Sequence, residues 1–149
     1  MTTTQDSRLG RLIQLFENLQ PGDVARLGEC YSEAVYFRDP FNEVHSLAAM
    51  QAIFAHMFET LDAPRFVVSA AFSEGEQALL IWDFHFRMKG QAQPRHIHGS
   101  SHLRFALDGR CCYHRDYWDA AEELYEKLPV LGAVLRFIKR KLSATTAHR

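Results

Sequence analysis

Two hydrophobic rhythms meet near Pro64, and that change of period narrows the folds open to this chain. Before it, apolar residues recur at helical spacing. Leu9, Leu12, Ile13, Leu15, Phe16 and Leu19 form one stripe, and Val24, Leu27 and Tyr31 resume it after the break Gln20-Pro21-Gly22-Asp23. Ala34 to Arg38 is short and β-prone, and Asp39-Pro40 ends it because proline has no N–H to give to a ladder. Ser46 fits the N-cap of a third helix that carries Leu47, Met50, Ile53, Phe54, Met57, Phe58 and Leu61 along one side and closes at Ala63-Pro64.

After Pro64 the period is two. Arg65 to Phe72, Ala78 to Met88, Arg95 to Leu107 and Arg110 to Trp118 are β-prone stretches separated by Ser73-Glu74-Gly75-Glu76, Lys89-Gly90-Gln91 and Asp108-Gly109. They predict an antiparallel meander. Three amphipathic helices cannot cover both faces of so long a sheet, so it should curl around them into a cone with a cavity and leave its other face to solvent or to a second copy in a homodimer. The expected class is therefore α+β, a curved antiparallel sheet wrapped around three N-terminal helices. With 149 residues, 47% of them hydrophobic, the chain is long enough for one such core and shows no repeat or linker that would demand a second. We read 1–128 as the domain and 129–149 as its extension.

The charge balance, 17 basic against 18 acidic residues, gives no chain-wide field for nucleic acid, so no nucleic-acid partner is expected. No apolar run is long enough to cross a membrane, and Met1 to Ser7 lacks the basic flank and apolar stretch of a secretory signal, which points to the cytoplasm. Cys30, Cys111 and Cys112 form an odd set without CxxC spacing, suited to small buried hydrophobes rather than a disulfide framework or a zinc site. His96, His98 and His102 alternate along one strand face, but no Glu or Cys joins them, and the spacing fits an outward polar face; no metal is expected.

Tyr31-Ser32-Glu33-Ala34-Val35-Tyr36-Phe37-Arg38-Asp39-Pro40-Phe41 resembles the first-strand signature of ketosteroid isomerases. His114-Arg115-Asp116-Tyr117-Trp118-Asp119, after Asp108-Gly109-Arg110, is similar to the last strand of SnoaL-like and limonene-epoxide-hydrolase-like proteins. The resemblance spans roughly Leu9 to Glu123. It implies the cone shared by these enzymes and nuclear transport factor 2 (NTF2), with Asp39 as a proton-shuttling base and Asp116 as an acid or base. Two departures stand out: the helical tyrosine of ketosteroid isomerases falls on Leu15 and their strand aspartic acid on Ser101, so an oxyanion would meet a hydroxyl at best. The aspartate–arginine–aspartate set of the epoxide hydrolases is incomplete as well.

Alternation assigns faces. Trp82, Phe84 and Phe86 belong on the covered side of the middle strand, with Asp83, His85 and Arg87 outside. On the last strand Cys112, His114, Asp116 and Trp118 share a face, inward by resemblance, and Cys111, Tyr113, Arg115 and Tyr117 share the other. His114 and Asp116 would then stand about 6–7 Å apart at Cβ, within reach of a direct contact or one bridging water. Apolar walls disfavour the charged form of a carboxylate, which suits a general acid or base near neutral pH. The catalytic candidates are Asp116, Asp39 and His114; Tyr36, Phe54, Phe58, Trp82, Phe84, Phe86, Ser101 and Trp118 are candidates for the pocket lining. Asp39 before Pro40 equally fits a turn initiator, and Asp116 equally fits a structural pair with Arg38, Arg104 or His114.

Two function classes follow. One is a cofactor-free acid–base enzyme, an isomerase, cyclase, dehydratase or hydrolase acting on a small hydrophobic or lipid-like molecule. The other is a non-catalytic module that holds a ligand or a protein partner. The tail adds a helix from Ala120 to Leu128 and, after Pro129, an apolar stripe opposite Arg136, Lys139, Arg140 and Lys141. That second helix fits a lid or dimer element, and equally a peripheral membrane contact through Val130 to Leu142.

Overall fold

Asp6 sets the start of the first helix, α1 (Ser7–Glu17), by accepting the Arg8 and Leu9 backbone N–H groups on Oδ1 at 3.0 and 3.5 Å. The structure, a computed structural model, describes residues 6–123 and 129–143. Leu9, Leu12 and Phe16 form the buried stripe of α1. Arg8 ties the helix start to the sheet, reaching Glu76 at 3.0 Å and the Gly75 carbonyl at 2.8 Å. It also bonds both Asp6 oxygens, and with the two backbone amides this lowers the Asp6 carboxyl from 3.8 to about 2. The folded value lies below the unfolded one, so this interaction stabilises the fold fully above pH about 4 and is lost as the pH falls towards about 2. Melting curves should show that acid loss, and Asp6→Asn should shrink it by lowering stability at neutral pH without lowering it further in acid.

The second expected helix is a 3-10 helix, Pro21–Glu29, opened by Pro21 and by Asp23, whose carboxylate accepts the Gln20 backbone N–H at 3.0 Å. Helix α2 (Leu47–Thr60) begins as expected at Ser46, whose Oγ accepts the Ala49 N–H at 3.1 Å. It buries Leu47, Met50 and Phe54.

Six strands form one sheet in the order β2-β1-β6-β5-β4-β3: β1 (Tyr31–Arg38), β2 (Glu43–Val44), β3 (Leu61–Glu74), β4 (Gln77–Met88), β5 (Pro94–Phe105) and β6 (Cys111–Tyr117). The antiparallel meander over β3 to β6 matches the expectation, and β1 adds to it in parallel, pairing Phe37 with His114. Strand β3 starts directly after α2 rather than beyond Pro64. Ala63, at φ 49°, and Pro64 fall in a register shift between Asp62 and Arg65, on an edge strand where a missing N–H breaks no ladder.

The inner face of this sheet is apolar. Leu80, Trp82, Phe84 and Phe86 of β4 and Ile97, Leu103 and Phe105 of β5 are buried. Phe16 of α1 packs edge-on against Phe66 of β3 at 5.6 Å and lies 5.5 Å from Phe54 of α2, so both helices sit on that face.

The chain forms two compact units, Met1–Tyr117 and Trp118–Arg149. The second contains α3 (Ala120–Glu123) and α4 (Pro129–Leu142). Residues 124–128 of the helix expected from Ala120 to Leu128 lie outside the described residues. Lys139, Arg140 and Lys141 occupy the last turn of α4, where cations complement the helix dipole. No described helix is long and apolar enough to cross a membrane.

Candidate active site on the inner face of the sheet

Strands β5 and β6 place Ser101 opposite Asp116 and Leu103 opposite His114. A period of two puts all four side chains on the inner face, and the hydrogen bonds follow. Asp116 Oδ1 accepts from Ser101 Oγ at 2.5 Å and faces His114 Nε2 at 2.6 Å. Trp82 Nε1 donates to Ser101 Oγ at 2.8 Å, and on the far side His114 Nδ1 lies 2.7 Å from the Tyr31 hydroxyl. Five residues from β1, β4, β5 and β6 thus form one chain of hydrogen bonds.

The donors fix its direction. Indole N–H can only donate, so Ser101 accepts from Trp82 and passes its own proton to Asp116. Burial pushes the Tyr31 phenol well above its ordinary 10, so it stays protonated and donates to His114 Nδ1, leaving Nε2–H to bond Asp116. Both donors converge on Oδ1. Oδ2 has no partner among the described residues, and the Asp116 side chain keeps 17% exposure where that of His114 keeps 4%. A carboxylate anchored by one oxygen with the other open is arranged to accept a proton.

The ring of His114 is held by aromatic neighbours, with Phe37 at 5.0 Å, Tyr31 at 5.8 Å and Phe16 at 6.0 Å. Trp82 is fixed by its bond to Ser101 and by lying on Gly99, its cross-strand partner. Phe66 then stacks on Phe84 at 4.4 Å and Phe84 on Phe86 at 5.0 Å, extending an aromatic wall along β4 away from Asp116. Phe54 is buried against Phe16 and Phe37, and Phe58 is half-buried.

Three sequence expectations need correction. Tyr36, placed in the pocket from sequence, lies on the outer face, where its ring stacks on Tyr113 at 5.2 Å and its hydroxyl donates to Glu43; Val35 and Phe37 on either side take the inward positions. Cys111, expected to face outward, is fully buried, because a register shift between Arg104 and Phe105 breaks the alternation at the start of β6. Tyr31, taken as the end of a helical stripe, begins β1 and supplies the phenol of the network.

Asp39 behaves as a turn residue. Its Oδ1 accepts the Phe41 and Asn42 backbone N–H groups at 2.8 and 2.7 Å, and Asn42 Nδ2 bonds both oxygens at 3.1 Å. Trp118 opens the second compact unit.

On the outer face, Asp83 Oδ1 meets His96 Nε2 at 2.6 Å and His98 Nδ1 at 2.9 Å, bonds that lower the Asp83 carboxyl, and His85 stacks on His96 at 4.7 Å. His102 instead meets Gln77 at 2.7 Å. No set of three or more His, Cys, Asp or Glu side chains is arranged to hold a metal ion among the described residues.

A curved open sheet with helices on its inner face gives an α+β domain with the NTF2-like cone fold. The chain belongs to the SnoaL-like domain family, whose model matches residues 12–114. Solved structures agree on the fold. A protein with a ketosteroid isomerase-like fold from Catenulispora acidiphila, in complex with trimethylamine, aligns at TM-score 0.69 and 13% identity over 81% of this chain and 92% of its own. An NTF2-like protein of unknown function from Burkholderia pseudomallei aligns at 0.68 and 15% over 77% and 92%. An epoxide hydrolase of M. tuberculosis, described as LEH-like, aligns at 0.65 and 12% over 89% and 94%. No curated protein matches the chain.

Proposed function

We propose that this SnoaL-like domain is a cofactor-independent acid–base enzyme acting on a small apolar molecule, with Asp116 as its general base. The observation that carries this reading is the one-sided anchoring of Asp116: Ser101 and His114 both bond Oδ1, and Oδ2 is left open. In this reading Oδ2 takes a proton from the substrate, or from a water that attacks it. Ser101 and His114 are positioning residues, and Tyr31 fixes the histidine tautomer. Trp82, Phe84 and Phe86 form the wall that an apolar substrate would lie against. Asp39 takes no part in proton transfer, because its oxygens are committed to the β1–β2 turn.

The outer face is assigned to a homodimer, since Phe72 and Leu79 form an exposed cross-strand pair there.

Small apolar epoxides, after the epoxide hydrolase neighbour, and enolisable ketones, after the first-strand resemblance to ketosteroid isomerases, form the panel for a test. Each is incubated with the protein and followed by mass-spectrometric product analysis. Conversion faster than in buffer supports the enzyme, whereas saturable binding of the panel without conversion makes the domain a carrier.

A further inference from the structure

The inner face of β5 carries one charged side chain. Arg95 shares its parity with Ile97, Gly99 and Ser101, while His96 and His98 point to the other face and bond Asp83 there. Arg95 is half-buried, and its Nε is closed off from solvent and has no hydrogen-bond partner among the described residues. The other arginines for which a contact is resolved are occupied differently: Arg8, Arg26 and Arg110 hold carboxylates, and Arg104 and Arg115 lie over tyrosine rings. A guanidinium never loses its proton in a protein, and its terminal Nη1 and Nη2 groups have no hydrogen-bond partner among the described residues either, so they are the donors an incoming acceptor would meet.

Its surroundings indicate which acceptor. Phe86 is the cross-strand partner of Arg95, and the stacked rings Phe86, Phe84 and Phe66 lead from it to Trp82, whose indole bonds Ser101 beside Asp116. Arg95 and Ser101 are six positions apart on one strand, about 20 Å at the usual rise. We infer that the domain takes an elongated apolar carboxylate, with Arg95 binding the carboxylate at one end of the aromatic wall and Asp116 meeting the reacting atom at the other. This rests on the apolar-site reading given above and adds the charge and shape of the ligand. A planar guanidinium suits the purpose because it binds a carboxylate through two parallel N–H donors.

Dodecanoate and dodecanol, equal in chain length and different in charge, are the probes, with affinities measured by calorimetry near neutral pH. The intact protein should bind dodecanoate at least about tenfold more tightly, the scale of one charge-assisted hydrogen-bonded pair. Arg95→Met keeps the apolar stem and should bring the two affinities within about twofold, whereas Arg95→Lys should keep a preference for the acid. Equal affinities in the intact protein, or an undiminished preference in a folded Arg95→Met, overturn the role of Arg95. The first of these needs no variant, so it decides the matter even if Arg95→Met fails to fold. Binding of neither probe overturns the apolar-site reading itself, and the inference with it.

Discussion

Asp116→Asn should slow any proton transfer this domain catalyses by roughly 10²–10⁴-fold, the contribution of one positioned general base, while leaving the protein folded. The amide matches the carboxylate in shape, and its oxygen can still accept from Ser101 Oγ and His114 Nε2, so the network geometry survives. What changes is the open position, where an NH₂ group that cannot take a proton replaces Oδ2. Rates on a substrate from the epoxide and ketone panel, with circular dichroism as the fold control, measure the effect. An unchanged rate in the folded variant removes Asp116 from the chemistry.

Gly99→Ala should be the most damaging single methyl on the inner face. A Cβ at this position would stand 2.5 Å from Trp82 Cη2 and 2.7 Å from Cζ2. The indole cannot slide away freely, because its Nε1 is bonded to Ser101 and its ring packs perpendicular to that of Phe66 at 6.0 Å. Overpacking of this kind destabilises by about 1–3 kcal/mol, a fall in melting temperature of roughly 5–15 °C for a unit of this size. Displacing Trp82 also withdraws the donor that orients Ser101 towards Asp116. Gly22→Ala is the matched control, since nothing lies within 4 Å of its added methyl, and it should melt close to the parent. Equal melting of the two variants would show that the Trp82–Gly99 contact does not constrain the site.

The parts of the site that depend on local periodicity were legible in the sequence. Trp82, Phe84 and Phe86 face inward because strict alternation sorts them from Asp83 and His85, and the two-residue step from His114 to Asp116 sets their contact. The same rule applied to β1 identifies Tyr36 as outward, since Val35 and Phe37 are the apolar positions of that strand. Tyr31 was hidden for a different reason. It stands four positions after Leu27, at helical spacing, and its partner His114 lies on the last strand in chain order, which the parallel pairing of β1 with β6 brings alongside. No local signal marks a contact between residues 83 positions apart. Cys111 was misassigned because a bulge shifts the alternation, and nothing in Asp108-Gly109-Arg110 states on which side of the turn the extra residue falls. The role of Asp39 turns on Asn42, three residues on, whose backbone and side chain both bond its carboxylate.

Asp116 can act as the base only if an apolar molecule reaches it. Carbon-13-labelled aspartate makes each side-chain carboxyl visible by NMR, and a titration with dodecanol follows them all in one experiment. The Asp116 signal should shift saturably while that of Asp39, closed within its turn, stays in place. Saturable binding that leaves the Asp116 signal unmoved would contradict the central claim.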